Sequence, residues 1–543
     1  MGIKQFRSIV FVALSCLFCT NGLANDTVYV SGALQHDGLL DWKPVMYHSN
    51  SYLDLSVHYL NDSNSAHFRE LRATTRLEMT QWPMLGYEPD FRGYGLSHLS
   101  VAASFDWGEI TIGDVYGQFG SGLILNLYEE RSLGIDGALR GAKIEANPCK
   151  GLHLTVLGGK QRRYWSCYQD HAWGWNYTRD ATLGGDAEIY IEDWSKRMQE
   201  LDMHLCIGGS YVSKYQHNDT VSTVIDGQMY MYNLPRWVGA GEVRAEFGFR
   251  GFHLLAEYAR KANDPCLDNG FSYKDGEAFF ISAGYSRKGL SVLAQVKRSE
   301  NMVFRSDRLR TGIAGRLNLL PAFAPQHTYA LAAMYPYVTQ YAGAEWAFQG
   351  EVRYTAPRKT AFGGKYGTTV KLSAAHIRGV AGEGEYYTDV NMELNKRLTK
   401  RWWLNAMVMY QSYNQWLVEG KGNFIRSGIA VLDTRVQVTA DVSMRGELQY
   451  LFSRDYKGQW LFALYELSLY RHWIISGEWM YNIGYGPNAT NEHFYTATLT
   501  YTHGAHRATL GYTKTQEGFH CSGGVCRYVP KQEGVCASYS FTW

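Results

Sequence analysis

The chain has 543 residues and a net charge of +2, with 56 Gly, 40 Tyr, 23 Phe and 16 Trp against only 12 Pro. So even a charge balance, broken only by short basic runs, gives no footing for nucleic acid as a partner. A mean hydropathy of −0.30, with no unbroken apolar stretch of about 18 to 20 residues, excludes a bundle of membrane-spanning helices.

Residues 1–24 read as a cleaved secretory signal. Lys4 and Arg7 supply the positive start, Ser8–Cys19 the apolar core, and Gly22-Leu23-Ala24 a small-x-small cleavage site. A lipoprotein signal ending at Cys16 is the weaker reading, because it would cut inside that core. Export places the mature chain where disulfides form. Of the seven cysteines beyond the signal, Cys521 and Cys526 lie closest together, within one predicted loop, and are the expected pair. The odd total leaves at least one thiol unpaired or bonded elsewhere, and the spacings match no zinc pattern.

From Val28 onward the chain alternates with period two, the signature of strands with one apolar face. Leu99, Val101, Ala103, Phe105 and Trp107 alternate with small or polar residues, and Tyr495, Ala497, Leu499 and Tyr501 alternate with threonines. About 24 strands follow from this pattern, within a range of 22 to 26. The first two are expected at 28–36 and 51–60, the fifth to seventh at 109–116, 139–147 and 152–163, and the last at 534–543. Turns after even-numbered strands are short, and connections after odd-numbered strands are mostly long. The segments 194–202 and 356–367 fit this rule poorly. That asymmetry is what an up-and-down barrel with both termini on the periplasmic side requires.

The expected fold is therefore all-β: a transmembrane antiparallel up-and-down β-barrel, a single domain over residues 25–543. In the last strand Val535, Ala537, Tyr539, Phe541 and Trp543 share one face. Alternation ending on an aromatic residue resembles the signal by which outer-membrane barrels are recognised for assembly. The implied partners are outer-membrane lipid and lipopolysaccharide, the barrel-assembly machinery, and other outer-membrane proteins.

A barrel this wide exceeds the porins and needs internal filling. No separate N-terminal plug precedes the first strand, so loops must fill the lumen. Residues 117–139 interrupt the alternation with glycines and with Glu129, Glu130, Arg131, Asp136 and, just beyond, Arg140. Residues 299–345 form the second candidate, too long and too aromatic for a bare connection. Lys160, Arg162 and Arg163 end the seventh strand at the same end of the wall. Acids facing these bases set up either a field across a solute path or ion pairs that pin the loop to the wall.

Catalytic motifs are missing: there is no Gly-x-Ser-x-Gly, His-Glu-x-x-His or phosphate-cradling loop. Ser121 reads as a turn serine, and Asp170-His171 as a chance neighbour pair on a loop. No cofactor or catalytic residue is expected. Trp165, Trp173 and Trp175 on the loop 164–181 suit either a glycan or the lipid interface.

Several blocks resemble a family of Bacteroidota outer-membrane barrels of unestablished activity. They are Gly86-Tyr-Glu-Pro-Asp-Phe-Arg-Gly93, Tyr128-Glu-Glu-Arg-Ser-Leu-Gly-Ile-Asp136, Gly158-Gly-Lys-Gln-Arg-Arg-Tyr-Trp165, Leu320-Pro-Ala-Phe-Ala-Pro-Gln-His-Thr-Tyr329 and Gly363-Gly-Lys-Tyr-Gly-Thr368. The resemblance implies the fold and the outer membrane of a Gram-negative cell. It implies no catalytic site. Two roles stay open: a loop-gated channel for a small polar or charged solute, or a sealed structural subunit of a larger outer-membrane assembly.

Overall fold

The computed structural model describes residues 27–42, 45–61, 67–88, 91–165, 178–217, 220–522 and 525–543. The expected signal segment, Cys167, Asp170, His171, Trp173 and Trp175 lie outside the described residues. Twenty-four strands form one sheet. The first eight are β1 Thr27–Trp42, β2 Val45–Leu60, β3 Phe68–Trp82, β4 Gly93–Phe105, β5 Gly108–Val115, β6 Leu139–Cys149, β7 Leu152–Gln161 and β8 Ala181–Tyr190. The next eight are β9 Met203–Tyr215, β10 Trp237–Phe249, β11 Phe252–Lys261, β12 Gly276–Arg287, β13 Leu290–Glu300, β14 Ala344–Ala356, β15 Thr368–Gly379 and β16 Glu385–Thr399. The last eight are β17 Trp402–Asn414, β18 Phe424–Gln437, β19 Val442–Phe452, β20 Gln459–Leu469, β21 Trp473–Gly484, β22 His493–His503, β23 His506–Thr515 and β24 Gln532–Thr542.

Each strand pairs antiparallel with its neighbours in the chain, and β24 closes the barrel onto β1 from Ala33↔Thr542 to Asp41↔Gly534. Beyond that ladder, the backbones of Gly32 and Trp543 exchange two hydrogen bonds of 3.1 Å. A side chain on Gly32 would collide with the Trp543 indole, so a residue without Cβ is needed at the seam. Closure leaves no sheet edge for aggregation.

Two local expectations change. The first hairpin is longer than its sequence suggests: β1 runs to Trp42 and β2 starts at Val45. Asp37, Gly38, Ser49 and Asn50 look like turn residues, yet they pair as Asp37↔Asn50 and Gly38↔Ser49 in an unbroken ladder. The segment after β8 is not a bare turn. It carries the one-turn 3-10 helix Ile191–Trp194 and the short helix Lys196–Glu200, whose first turn is capped by the Ser195 hydroxyl.

The two faces of the wall differ as period two demands. Ile112, Leu183, Val243 and Leu510 point outward and are about three-fifths exposed, whereas Thr111, Thr182 and Glu242 beside them face inward and are buried. Exposed aromatic residues flank this apolar belt: Trp42, Trp82 and Trp237 near the long-loop end, Trp107, Trp402 and Trp473 near the short-turn end. So continuous an apolar surface is unstable in water and matches the lipid-facing band of a membrane barrel. The main hydrophobic core is not the wall alone. It is built from inward wall residues and two inserts that enter the lumen at the long-loop end.

Candidate functional site: the loop-filled lumen

Insert 1, residues 116–138, connects β5 to β6. Insert 2, residues 301–343, connects β13 to β14. Insert 1 holds two minimal ribbons, Gly117–Gln118 with Asn126–Leu127 and Glu129–Glu130 with Ile135–Asp136. In the loop of the first ribbon Leu123, Ile124 and Leu125 are completely buried, three consecutive apolar residues that no strand alternation could hide. The inserts bond to each other: Asn126 N donates to Leu317 O at 2.7 Å, and Leu319 N to Gly122 O at 2.9 Å. Asn318 Nδ2 donates to Leu123 O and Met302 O, closing the seam between them.

Insert 2 is anchored at its root and at its tip. At the root Lys297 and Glu345 form a 2.6 Å ion pair with both side chains fully buried, and the Tyr337 hydroxyl donates to Glu345. At the tip His327 Nε2 meets Asp389 Oδ2 at 2.6 Å, and Leu331 N donates to Gln449 Oε1 at 2.8 Å. The aromatic residues Tyr335, Tyr387 and Tyr413 fill the space between, with Tyr335 and Tyr413 stacked.

The predicted charges of insert 1 are brought to the wall, but mostly to partners that the sequence did not single out. Glu129 accepts two hydrogen bonds from Arg76 of β3, at 2.7 and 2.8 Å. Arg131 bonds Glu129 at 2.8 Å and Asp54 of β2 at 2.7 Å, and Arg76 bonds Asp54 at 2.6 Å. Asp54, Arg76, Glu129 and Arg131 therefore form a closed ring of alternating charge. Arg162 sits beside it, donating to both oxygens of Glu78 at 3.2 and 2.7 Å and to Asp136. Tyr116 and the Ala138 amide also donate to Asp136, both at 3.0 Å. Burial alone pushes the Asp136 carboxyl up, but Arg162 and then Arg76 outweigh it and hold it below the usual range.

Of the acid-to-base contacts expected between insert 1 and the end of β7, the structure makes Asp136–Arg162. Arg140 pairs instead with Asp114 of β5, and Arg163 with Asp307 of insert 2. Glu130 accepts from Ser132, at 2.7 Å from its hydroxyl. Lys160 does not belong to this set and is a correction to the expectation. Gln161 faces inward and bonds Arg316 O, so Lys160, one residue earlier, is exposed on the outward face. Asp54, Arg76, Glu78 and Asp114 were legible only as polar residues at inward positions of otherwise ordinary strands.

Three of the sequence blocks that carry the family resemblance meet at this mouth, while the one at 320–329 runs along insert 2 to Asp389 and Asn405. Tyr87 packs tilted on Phe91 and Phe91 edge-on to Tyr164, with ring centroids 5.0 and 4.9 Å apart, beside Ala314. Glu88 accepts from the amides of Ile313 and Ala314, and the Tyr87 hydroxyl donates to Arg131 O. The block at 363–368 is elsewhere, in the turn between β14 and β15. Over insert 1 lies the hairpin Gly518–Ser522 with Val525–Val529, closed by the Cys521–Cys526 disulfide. Val525 packs on Leu133 and Ile135, and the Arg527 guanidinium lies 4.0 Å from the Tyr87 ring. The cavity between this hairpin and the two inserts measures about 20 Å³, room for roughly one water. Ser121 bonds Glu257 through its amide and its hydroxyl rather than a histidine.

A search of the curated proteins finds no match. Among solved structures, the siderophore receptor PirA from Pseudomonas aeruginosa is similar, with a TM-score of 0.42, 9% identity, and 96% of this chain and 81% of that chain covered. The copper transporter OprC gives a TM-score of 0.41 and 11% identity over 96% and 81% of the two chains. OccAB3 from Acinetobacter baumannii gives 0.35 and 8% over 96% and 100%. At these scores the likeness carries no functional weight. Residues 12–543 match the Family of unknown function (DUF6029), and the chain belongs to that family.

Proposed function

We propose that the protein is a non-enzymatic outer-membrane barrel of a Gram-negative cell, of the Bacteroidota by its motif blocks. It passes a small polar or charged solute through a lumen that its own two inserts close at rest. Both termini are periplasmic, and the long-loop end with the inserts faces outward. Lipid and lipopolysaccharide surround the apolar belt, and the assembly machinery reads Tyr539, Phe541 and Trp543.

The observation that carries this reading is the charged and hydroxylated inner wall away from the inserts. Lys371 bridges Glu351 and Glu393 there, and their side chains keep exposures of 28%, 32% and 20%. Thr496, Thr498, Thr500, Thr509 and Thr513 add a stripe of hydroxyls along β22 and β23, several bonded to one another across the strands. Charged and hydroxylated walls of this kind are what a hydrated solute path uses.

A second reading, a sealed accessory subunit of a larger assembly, is favoured by the insert core, where Leu123, Ile124, Leu125 and Leu331 are wholly buried. Planar-bilayer recording separates the two. Discrete conductance from the wild type, or from a variant lacking residues 301–343, supports passage. Silence from both, with the variant shown by circular dichroism to be a folded barrel, overturns it. Co-purification with other barrels after mild detergent extraction then supports the accessory role.

A further inference from the structure

The apolar belt is not evenly filled over β18 to β22. Four small residues of the outward face, Gly446, Ala463, Gly477 and Ala497, lie on four adjacent strands and floor an apolar groove of about 530 Å³. Leu448, Trp479 and Tyr495 stand around it, each more than a third exposed on the lipid side. Clefts that hold small molecules run on the order of 300–1,000 Å³, so the groove is large enough for a ligand.

Neither glycine of the floor is required by the fold itself. Gly446 and Gly477 both keep a negative φ. A Cβ at Gly477 would meet nothing within 4 Å, and one at Gly446 only Thr434 Cγ2 at 3.8 Å. Register is regular at both, with Gly446 opposite Thr434 and Tyr465, and Gly477 opposite Tyr465 and Ala497, so neither marks a bulge. Glycine inside a strand weakens it, and without a bulge or bend to explain it, it marks a place where another molecule comes close. Here the space is kept open toward lipid.

A basic rim lies one leaflet away. From Gly477 back to Arg471, in the turn before β21, is about 20 Å at roughly 3.3 Å per residue, or about 15 Å of depth at a tilt of about 40°. That is half of a hydrocarbon core of about 30 Å. The Arg471 side chain is 79% exposed, with Asp441 at 3.8 Å. Lys400 and Arg401 stand in the turn between β16 and β17, so the four short turns from β16 to β23 hold three cations against that one acid. Trp473 and Tyr501, with ring centroids 4.6 Å apart, sit between rim and groove at the level of the interface. We propose that this face holds one anionic phospholipid of the inner leaflet, its phosphate on Arg471 and an acyl chain over Gly477 and Ala497. The site needs the short-turn end to be periplasmic, as in the function proposed above, and is indifferent to whether a solute passes.

The full-length barrel, stripped of lipid in detergent, is titrated with dioleoyl phosphatidylglycerol, dioleoyl phosphatidylethanolamine or lipid A, and bound lipid is counted by native mass spectrometry. One phosphatidylglycerol per barrel is expected, held at least about tenfold more tightly than phosphatidylethanolamine. Gly477→Leu, whose Cβ enters open space, and Arg471→Glu, on an exposed turn, should each weaken it at least about fivefold. Ala245→Leu, on the outward face of β10 across the barrel, should leave it unchanged. Equal binding of the two phospholipids, or binding that Gly477→Leu does not alter, overturns the site and leaves an ordinary lipid annulus. A preference for lipid A overturns it too, and separately contradicts the periplasmic placement of the short-turn end.

Discussion

Arg162 and Glu78 face each other inside the barrel through two hydrogen bonds of 2.7 and 3.2 Å, although 84 residues separate them. Asp136 takes the same guanidinium from the insert side. One buried cation therefore ties together β3, the end of β7 and insert 1. The charges on insert 1 are paired with charges on the wall.

Removing that cation leaves two buried acids without a partner. Arg162→Ala is expected to lower the unfolding free energy by about 3–5 kcal/mol, read from denaturant titration of the refolded barrel. Arg162→Lys keeps the charge but loses the planar fork, and should recover only part of that loss. Equal stability of all three proteins means that the pair is not a brace.

The ring of Asp54, Arg76, Glu129 and Arg131 ranks its own members. Arg76 is nearly buried and touches three acids, whereas about a fifth of the Arg131 side chain is exposed. Arg76→Ala should therefore loosen insert 1 more than Arg131→Ala, seen as faster hydrogen exchange over residues 116–138. In an open channel, reversal of charge at Glu129, Glu130, Arg162 or Arg163 shifts ion selectivity. Lost folding with unchanged selectivity identifies a clamp alone.

Acid should release the brace only late. The Asp136 carboxyl is held below its ordinary value, so its share of stability is complete above the unfolded carboxylate range of about 4 and fades as pH falls below it. Exchange protection at Asp136 and its neighbours Gly137 and Ala138 is expected to hold under mild acid and to drop under stronger acid. A midpoint near neutrality contradicts the assignment.

The Cys521–Cys526 bond closes a loop of a few residues in a hairpin that stands outside the wall. Reducing it, or replacing both with Ser, should cost the hairpin at most about 2 kcal/mol and leave the barrel transition in place. Protease cleavage within residues 516–531 after reduction, with an intact barrel fragment, is the expected result. A lowered barrel transition instead means that the hairpin's hold on Leu133 and Tyr87 is part of global stability.

Trp543 stacks on Phe541 at 5.2 Å and covers Gly32 at the seam. Deleting Trp543 should reduce the amount of barrel recovered from the outer membrane more than it reduces the stability of barrel refolded in detergent. Equal effects on both would make the residue a packing element without a role in assembly.

The sequence by itself determined the wall, because strand faces and turn lengths are local. Leu99 to Trp107 alternate whatever lies around them, and short links such as Arg250-Gly251 and Lys288-Gly289 leave antiparallel pairing as the only option. The two inserts announced themselves by breaking that alternation. Local cues failed at Asp37–Asn50, where turn-like residues are held in strands by a ladder that begins and ends elsewhere. Only the tertiary structure decided who pairs with whom. Glu129 meets Arg76 across 53 positions and Arg163 meets Asp307 across 144, contacts that exist because a closed sheet folds its loops into one confined space. The chain marks those residues as charged, and Lys160 too, but not where each side chain points. Lys160 is still within β7 and the pleat turns it away from the lumen, whereas Arg162 lies past the strand end at Gln161, where the alternation stops, and reaches Glu78 and Asp136.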